Sequence, residues 1–196
     1  MLCPAAKLIS MLALVGCLVS FLTATAHAGA DLRVGSPAPA LIVTDLNGQK
    51  FDLASERGQV VIVTFWATWC GLCRQEMPAL NAFYRHHHND GVDLIALSLD
   101  TRHDRGDVLK TTQQYAFPVG LLCDAKSSGF GTPRSLLAAY VIDSAGIVHA
   151  EYRGGTPPFT EQTLSDVVLP LLVPRSGHDS QATGQMLHCE PHDKIP

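Results

Sequence analysis

The stretch TFWATWCGLCRQEMPAL, Thr64 to Leu80, places two cysteines two residues apart. A Cys70-Gly71-Leu72-Cys73 arrangement can serve as a redox pair, as half of a metal site or as a structural disulfide. Position within the local structure separates these. An unbroken apolar run, VVIVTFW from Val60 to Trp66, precedes the pair and reads as a strand buried on both faces. From Gly71 to about His88 the spacing becomes helical, with Cys73, Met77, Leu80 and Tyr84 on one face. Cys70 therefore stands where a strand gives way to a helix, and Cys73 lies one turn inside it. The unpaired N–H groups and the positive end of the helix dipole favour a thiolate at Cys70. That makes Cys70 the attacking sulfur and Cys73, shielded in the helix, the one that resolves a mixed disulfide. Trp66 and Trp69 flank the pair and offer an apolar docking surface.

The rival chemistries need more than the sequence supplies. Zinc takes four ligands, usually a second Cys-x-x-Cys or a His pair, and the remote candidates are Cys189, His188 and His192. A structural disulfide across so short a loop constrains little of the unfolded chain. Two free buried thiols do not suit an oxidising compartment. A Cys-x-x-Cys at the turn of a β-α-β unit favours redox exchange.

The compartment is read from the N-terminus. Lys7 precedes the apolar run LISMLALVGCLVSFL, and Ala26-His27-Ala28 is an A-x-A pattern. Residues 1–28 thus read as a signal peptide, with cleavage expected after Ala28. Two rivals stay open: a retained membrane anchor, since the run suffices for a span of about 20 residues, and a lipobox at Leu14-Val15-Gly16-Cys17. Each places the rest of the chain outside the cytoplasm, in the periplasm or tethered to the outer face of the cytoplasmic membrane. Cys3 and Cys17 lie in the leader. The exported body keeps Cys70, Cys73, Cys123 and Cys189, too few for a disulfide scaffold. A net charge of −4 points away from a nucleic-acid partner.

The remaining elements follow from pattern. ALIVTDLNGQKFDL reads as a hairpin about Asn47-Gly48. Val92 to Asp100 is a second buried strand, Asp104 to Ala116 a helix, and residues 117–135 a loop. LLAAYVID and IVHAEYR pair about Ser144-Ala145-Gly146. Thr160 to Leu172 is a final helix, bent or ended near Pro170. The order hairpin, β-α-β, α, β-β-α means an α/β fold with a mixed central sheet flanked by helices. The body spans 29–173, with 29–59 as an N-terminal β-hairpin extension, and 174–196 is a polar, flexible tail.

The block from VGSPAPAL through FWATWCGLCRQEMPALNAFY resembles the TlpA/ResA-type branch of the thioredoxin-like superfamily, the exported thiol–disulfide oxidoreductases. The resemblance spans Val34 to Tyr152 and is strongest through Leu99. It implies a thioredoxin-like fold with Cys70 as nucleophile and Cys73 as resolver. It implies a redox-active disulfide between them, and no organic cofactor or metal. Protein thiols and disulfides would be the substrates, a membrane redox partner would recycle the site, and reduction would be the working direction, as in cytochrome c maturation. Pro78 matches the family's helix-kinking proline. Glu76 matches a glutamate that assists proton transfer, a role that needs burial near Cys73; a solvated glutamate in the first helical turns is the competing reading.

Three departures stand out. Thr64 occupies the position where cytoplasmic thioredoxins carry a buried Asp, so proton transfer falls to Glu76. Gly71-Leu72 replaces the common Gly-Pro or Glu-Pro. Family members also carry a cis-proline directly before the strand that faces the cysteines, where alignment back from AAYVID puts Leu137. Either the strand starts early and Pro133 fills that role, or the position is lost. The expected substrate groove comprises Trp69, Gly71, Leu72 and Pro133.

PRSLLAAYVIDSAGIV is also similar to peroxiredoxins, which makes a thiol peroxidase the alternative enzyme. Yet Val63 and Ala67 stand where the peroxidatic motif has proline and threonine, which leaves Arg134 as a surface cation. A non-catalytic metal-handling module is the other alternative. His86, His87 and His88 are consecutive, so they point in different directions and do not make one three-ligand site. Cys123 follows an apolar pair and reads as a small buried hydrophobe.

Overall fold

The computed structural model describes residues 32–133, 135–153 and 158–172. The leader, the tail with His188, Cys189 and His192, and Arg134 lie outside the described residues.

The first strand pair is the expected hairpin. β1 (Leu41–Thr44) runs antiparallel to β2 (Lys50–Asp52). Its turn is fixed by Asp45, whose carboxylate accepts the backbone N–H groups of Asn47 and Gln49 at 2.9 and 2.7 Å. Gly48 supplies the left-handed φ of 85° that the turn requires.

β3 (Val60–Trp66) is buried at every residue. It continues into α1 (Gly71–His87), then a 3-10 turn, and Gly91 at φ 106° stops the chain. β4 (Val92–Ser98) returns parallel to β3. A 3-10 turn at Arg102–Asp104 leads into α2 (Arg105–Thr112). β5 (Val119–Leu121) then pairs parallel to β4. Two-residue β6 (Ser127–Ser128) joins the outer edge of β1. The long loop expected at 117–135 therefore contains two strands, and β5 forms one edge of the main sheet. Both are too short to carry a periodic signal.

β7 (Ala138–Ile142) lies antiparallel to β3, and β8 (Val148–Arg153) antiparallel to β7. α3 (Glu161–Val168) closes the chain; Thr160 caps it, and Pro170 falls in the 3-10 turn that ends it. The main sheet runs β5-β4-β3-β7-β8, and a second sheet runs β2-β1-β6.

Alternation along the central strands builds two cores. Ile62 and Trp66 of β3, Leu94 and Ala96 of β4, and Ala139 and Val141 of β7 face the helices, meeting Met77, Leu80 and Phe83 of α1 and Leu164 and Val168 of α3. Val61, Val63, Phe65, Ile95 and Leu97 face the other way, onto Leu41, Val43 and Phe51 of the hairpin sheet. The N-terminal hairpin, with Phe130, thus covers this second face of the sheet. Among the described residues, no helix is long and apolar enough to cross a membrane.

Candidate active site

The parallel strands β3, β4 and β5 point their C-terminal ends the same way, and the cysteine pair follows β3, the middle strand of the five. After Trp66 the chain makes a turn closed by the Cys70 N–H donating to the Ala67 carbonyl at 3.1 Å. Cys70 is the N-cap of α1, and its Sγ accepts the backbone N–H of Cys73 at 3.1 Å. Sulfur therefore takes the place that a Ser or Asp oxygen fills at ordinary helix starts. Cys70 and Cys73 are joined in a disulfide with Cα atoms 5.3 Å apart. Cys70 is half-buried and Cys73 fully buried, so only the first sulfur is open to attack.

The surroundings are asymmetric. On the solvent side Trp69 is 67% exposed, and Gly71 and Leu72 are exposed beside it. Trp66 belongs to the core instead: it is fully buried, so the docking surface expected of two tryptophans reduces to Trp69. The alternation of β3 explains this, because Trp66 shares the helix-facing side with Ile62 while Trp69 lies in the turn beyond the strand.

On the core side, Glu76 lies one helical turn after Cys73 and is only 5% exposed. The reading of a solvated surface glutamate is therefore wrong for this residue. Among the described residues neither carboxylate oxygen has a hydrogen-bond partner. Burial raises its pKa above the usual carboxylate range; the backbone amide of Phe159 opposes the rise from beyond hydrogen-bonding geometry and does not offset it. Thr64 is buried as well, and its hydroxyl donates to the Ala138 carbonyl at 3.4 Å, which leaves Glu76 the buried acid on the core side of the pair.

The strand facing the cysteines starts at Ala138, not early. Leu137 stands directly before it, and its N–H donates to the Phe65 carbonyl at 3.0 Å. Its φ is 65°, the sole left-handed value at a non-glycine among the described residues. A proline could neither adopt this φ nor make this bond. Pro133 is half-buried, five residues ahead of the strand. The alternative that required an early strand start thus loses its premise.

Two features carried no clear sequence signal. Asp100, just past β4, is buried and accepts the Thr68 N–H at 2.9 Å and the Thr68 hydroxyl at 2.7 Å, which ties it to the turn bearing Cys70. Cys123 is an exposed free thiol, not the buried hydrophobe expected, because the 3-10 turn Leu122–Asp124 carries it outward after β5. Among the described residues, no group of three or more His, Cys, Asp or Glu side chains is placed to hold a metal ion.

Comparison with known proteins fits this geometry. The AhpC/TSA family model matches residues 34–151. The chain belongs to the AhpC/TSA family. The thiol-disulfide oxidoreductase ResA of a Bacillus cereus strain is 35% identical over 119 residues, covering 60% of this chain and 68% of that protein. ResA of Bacillus subtilis (strain 168) is 33% identical over 69 residues, 35% of this chain and 38% of that protein. Among solved structures, the thiol:disulfide interchange protein of Chlorobium tepidum TLS superposes with a TM-score of 0.59 at 24% identity, covering 74% of this chain and all of that one. StoA from Bacillus subtilis gives 0.53 at 23% identity, covering 67% and 97%. Within the AhpC/TSA family this chain is a ResA-type thiol–disulfide oxidoreductase with a thioredoxin-like fold.

Proposed function

We propose that the protein is an exported reductant of protein disulfides acting through the Cys70-Gly71-Leu72-Cys73 site. The observation that carries Cys70 as the attacking sulfur is the placement of its Sγ at the N-cap of α1, receiving the Cys73 N–H, with Cys73 buried behind it; the reducing direction rests on the family resemblance. A thiolate at the cap gains from the free N–H groups and the helix dipole.

The reduced enzyme works in two exchanges. The Cys70 thiolate attacks one sulfur of a substrate disulfide, forms a mixed disulfide and expels the other sulfur as a thiolate. Cys73 then gives up its proton and attacks Cys70 Sγ. The second substrate sulfur leaves as a thiolate, and the Cys70–Cys73 disulfide holds the two electrons' worth of oxidation. Glu76, buried and without a fixed hydrogen bond, takes the Cys73 proton; burial raises its pKa, the direction that makes it a better proton acceptor. Exposed Trp69, Gly71 and Leu72 beside Cys70 are the residues we assign to the substrate groove, together with Pro133 on the segment leading into β7.

The apolar leader supports work outside the cytoplasm, where a membrane redox partner would return electrons to the disulfide. The test is reduction of insulin by dithiothreitol followed as turbidity. The wild type accelerates precipitation and Cys70→Ser does not; acceleration by Cys70→Ser would refute the reading.

A further inference from the structure

Cys70 is held by more than its helix. The turn Ala67–Cys70 is closed by the Cys70 N–H on the Ala67 carbonyl, and its second residue, Thr68, is gripped from the neighbouring strand. Asp100 Oδ2 accepts the Thr68 N–H at 2.9 Å and Oδ1 accepts the Thr68 hydroxyl at 2.7 Å. Ser98, the last residue of β4, donates its hydroxyl to Oδ2, and its oxygen accepts the Asp100 N–H at 3.0 Å. Asp100 is 4% exposed and Ser98 fully buried. Three donors on one carboxylate match the ionised form, which has acceptor sites only. The main chain repeats the tie, since the Leu99 N–H donates to the Trp66 carbonyl at 2.8 Å.

We propose that Asp100 is a positioning residue of the redox site: it locks the turn that presents Cys70 and makes the pair a stronger reductant by keeping a buried negative charge near that sulfur. This rests on the reading of Cys70 as the attacking thiol. A carboxylate two residues away through Thr68 repels the Cys70 thiolate and so opposes the helix N-terminus. A less stable thiolate makes the dithiol form less stable, and the couple a stronger reductant. The other charges near the turn are placed to matter less. Arg74 of α1, and Asp107 and Lys110 of α2, line an open groove with Thr68 but are exposed and screened by water. Arg102 is turned to Asp124 and the Cys123 carbonyl. Glu76 lies on the core side, beneath Cys73.

Asp100→Asn separates charge from shape, because the amide oxygen can still accept from Thr68 N–H and the amide N–H₂ can meet the hydroxyl. Thr68→Ala does the reverse, leaving the charge with one donor fewer, and Thr68→Ser restores that donor. The measurements are the Cys70 pKa, from the pH dependence of iodoacetamide alkylation, and the equilibrium with a dithiothreitol redox buffer. Asp100→Asn should lower the Cys70 pKa and shift the equilibrium about tenfold toward the dithiol, which is about 30 mV for a two-electron couple. Thr68→Ala should move both in the opposite direction and Thr68→Ser should return them to wild type. Simple loosening of the turn would move both variants the same way, and that result overturns the proposal, as does Asp100→Asn with neither quantity changed. Should Asp100→Asn fail to fold, the Thr68→Ala shift and its reversal by Thr68→Ser decide alone. Wild-type protein that performs no exchange would instead refute the functional reading itself.

Discussion

The backbone N–H of Cys73 points at the sulfur of Cys70, 3.1 Å away, so the residue proposed to attack is also the residue that caps its own helix. Catalysis and local stability therefore meet in one atom and can be separated by substitution. Cys70→Ser keeps an oxygen in the capping position, whereas Cys70→Ala keeps nothing. Both should abolish thiol–disulfide exchange. Compared as reduced proteins, with Cys73 unable to pair in either, Cys70→Ala should be less stable than Cys70→Ser by about 1 kcal/mol, the usual worth of an N-cap. Urea denaturation of the two variants checks this, and equal midpoints would remove the cap from the account.

Glu76 gives a pH signature. Its folded-state pKa is raised by burial, so the folded state favours the neutral acid more than the unfolded chain does. The native state carries no penalty below the unfolded value near 4.5. It loses stability as pH climbs through the raised folded value. Glu76→Gln, which cannot ionise, should then keep stability that the wild type loses as pH rises toward 7. The advantage should fade as pH falls toward 4.5. The same variant should slow release of substrate from the mixed disulfide. Thermal unfolding across pH 4–8 tests the first part, and a constant difference at every pH would contradict it.

Leu137 is held in a left-handed conformation by burial and by its bond to Phe65. Leu137→Pro, which would introduce the proline typical of the resembling family, removes that donor and forbids that φ. It should cost about 3 kcal/mol or more. A denaturation midpoint equal to wild type would show that the segment before β7 is free to take another path.

Much of this architecture is legible in the residues. Val60–Trp66 is a strand at the bounds its apolar run sets, because central parallel strands are buried on both faces. Asn47-Gly48 marks the hairpin, and Asn89-Asp90-Gly91 marks the end of α1. What escaped is short or non-local. Val119–Leu121 is three residues with a central glycine, and its strand character comes wholly from pairing with β4. The Thr68–Asp100 tie joins residues 32 apart whose types are common everywhere in the chain. Trp66 and Trp69 look alike in sequence and part company because one ends a strand and the other sits in a turn. Leu137 could be located by aligning from Ile142 backward, but no propensity foretells a left-handed leucine, since only its buried surroundings make it tolerable.

The central claim is that Cys70 attacks and Cys73 resolves. Cys73→Ser protein, reduced and then exposed to a disulfide-bonded substrate protein, should accumulate a mixed disulfide that dithiothreitol releases. Peptide mass mapping should place the substrate cysteine on Cys70 in about one-to-one yield. No adduct, or an adduct carried on the exposed thiol of Cys123 with Cys70 untouched, would contradict the account.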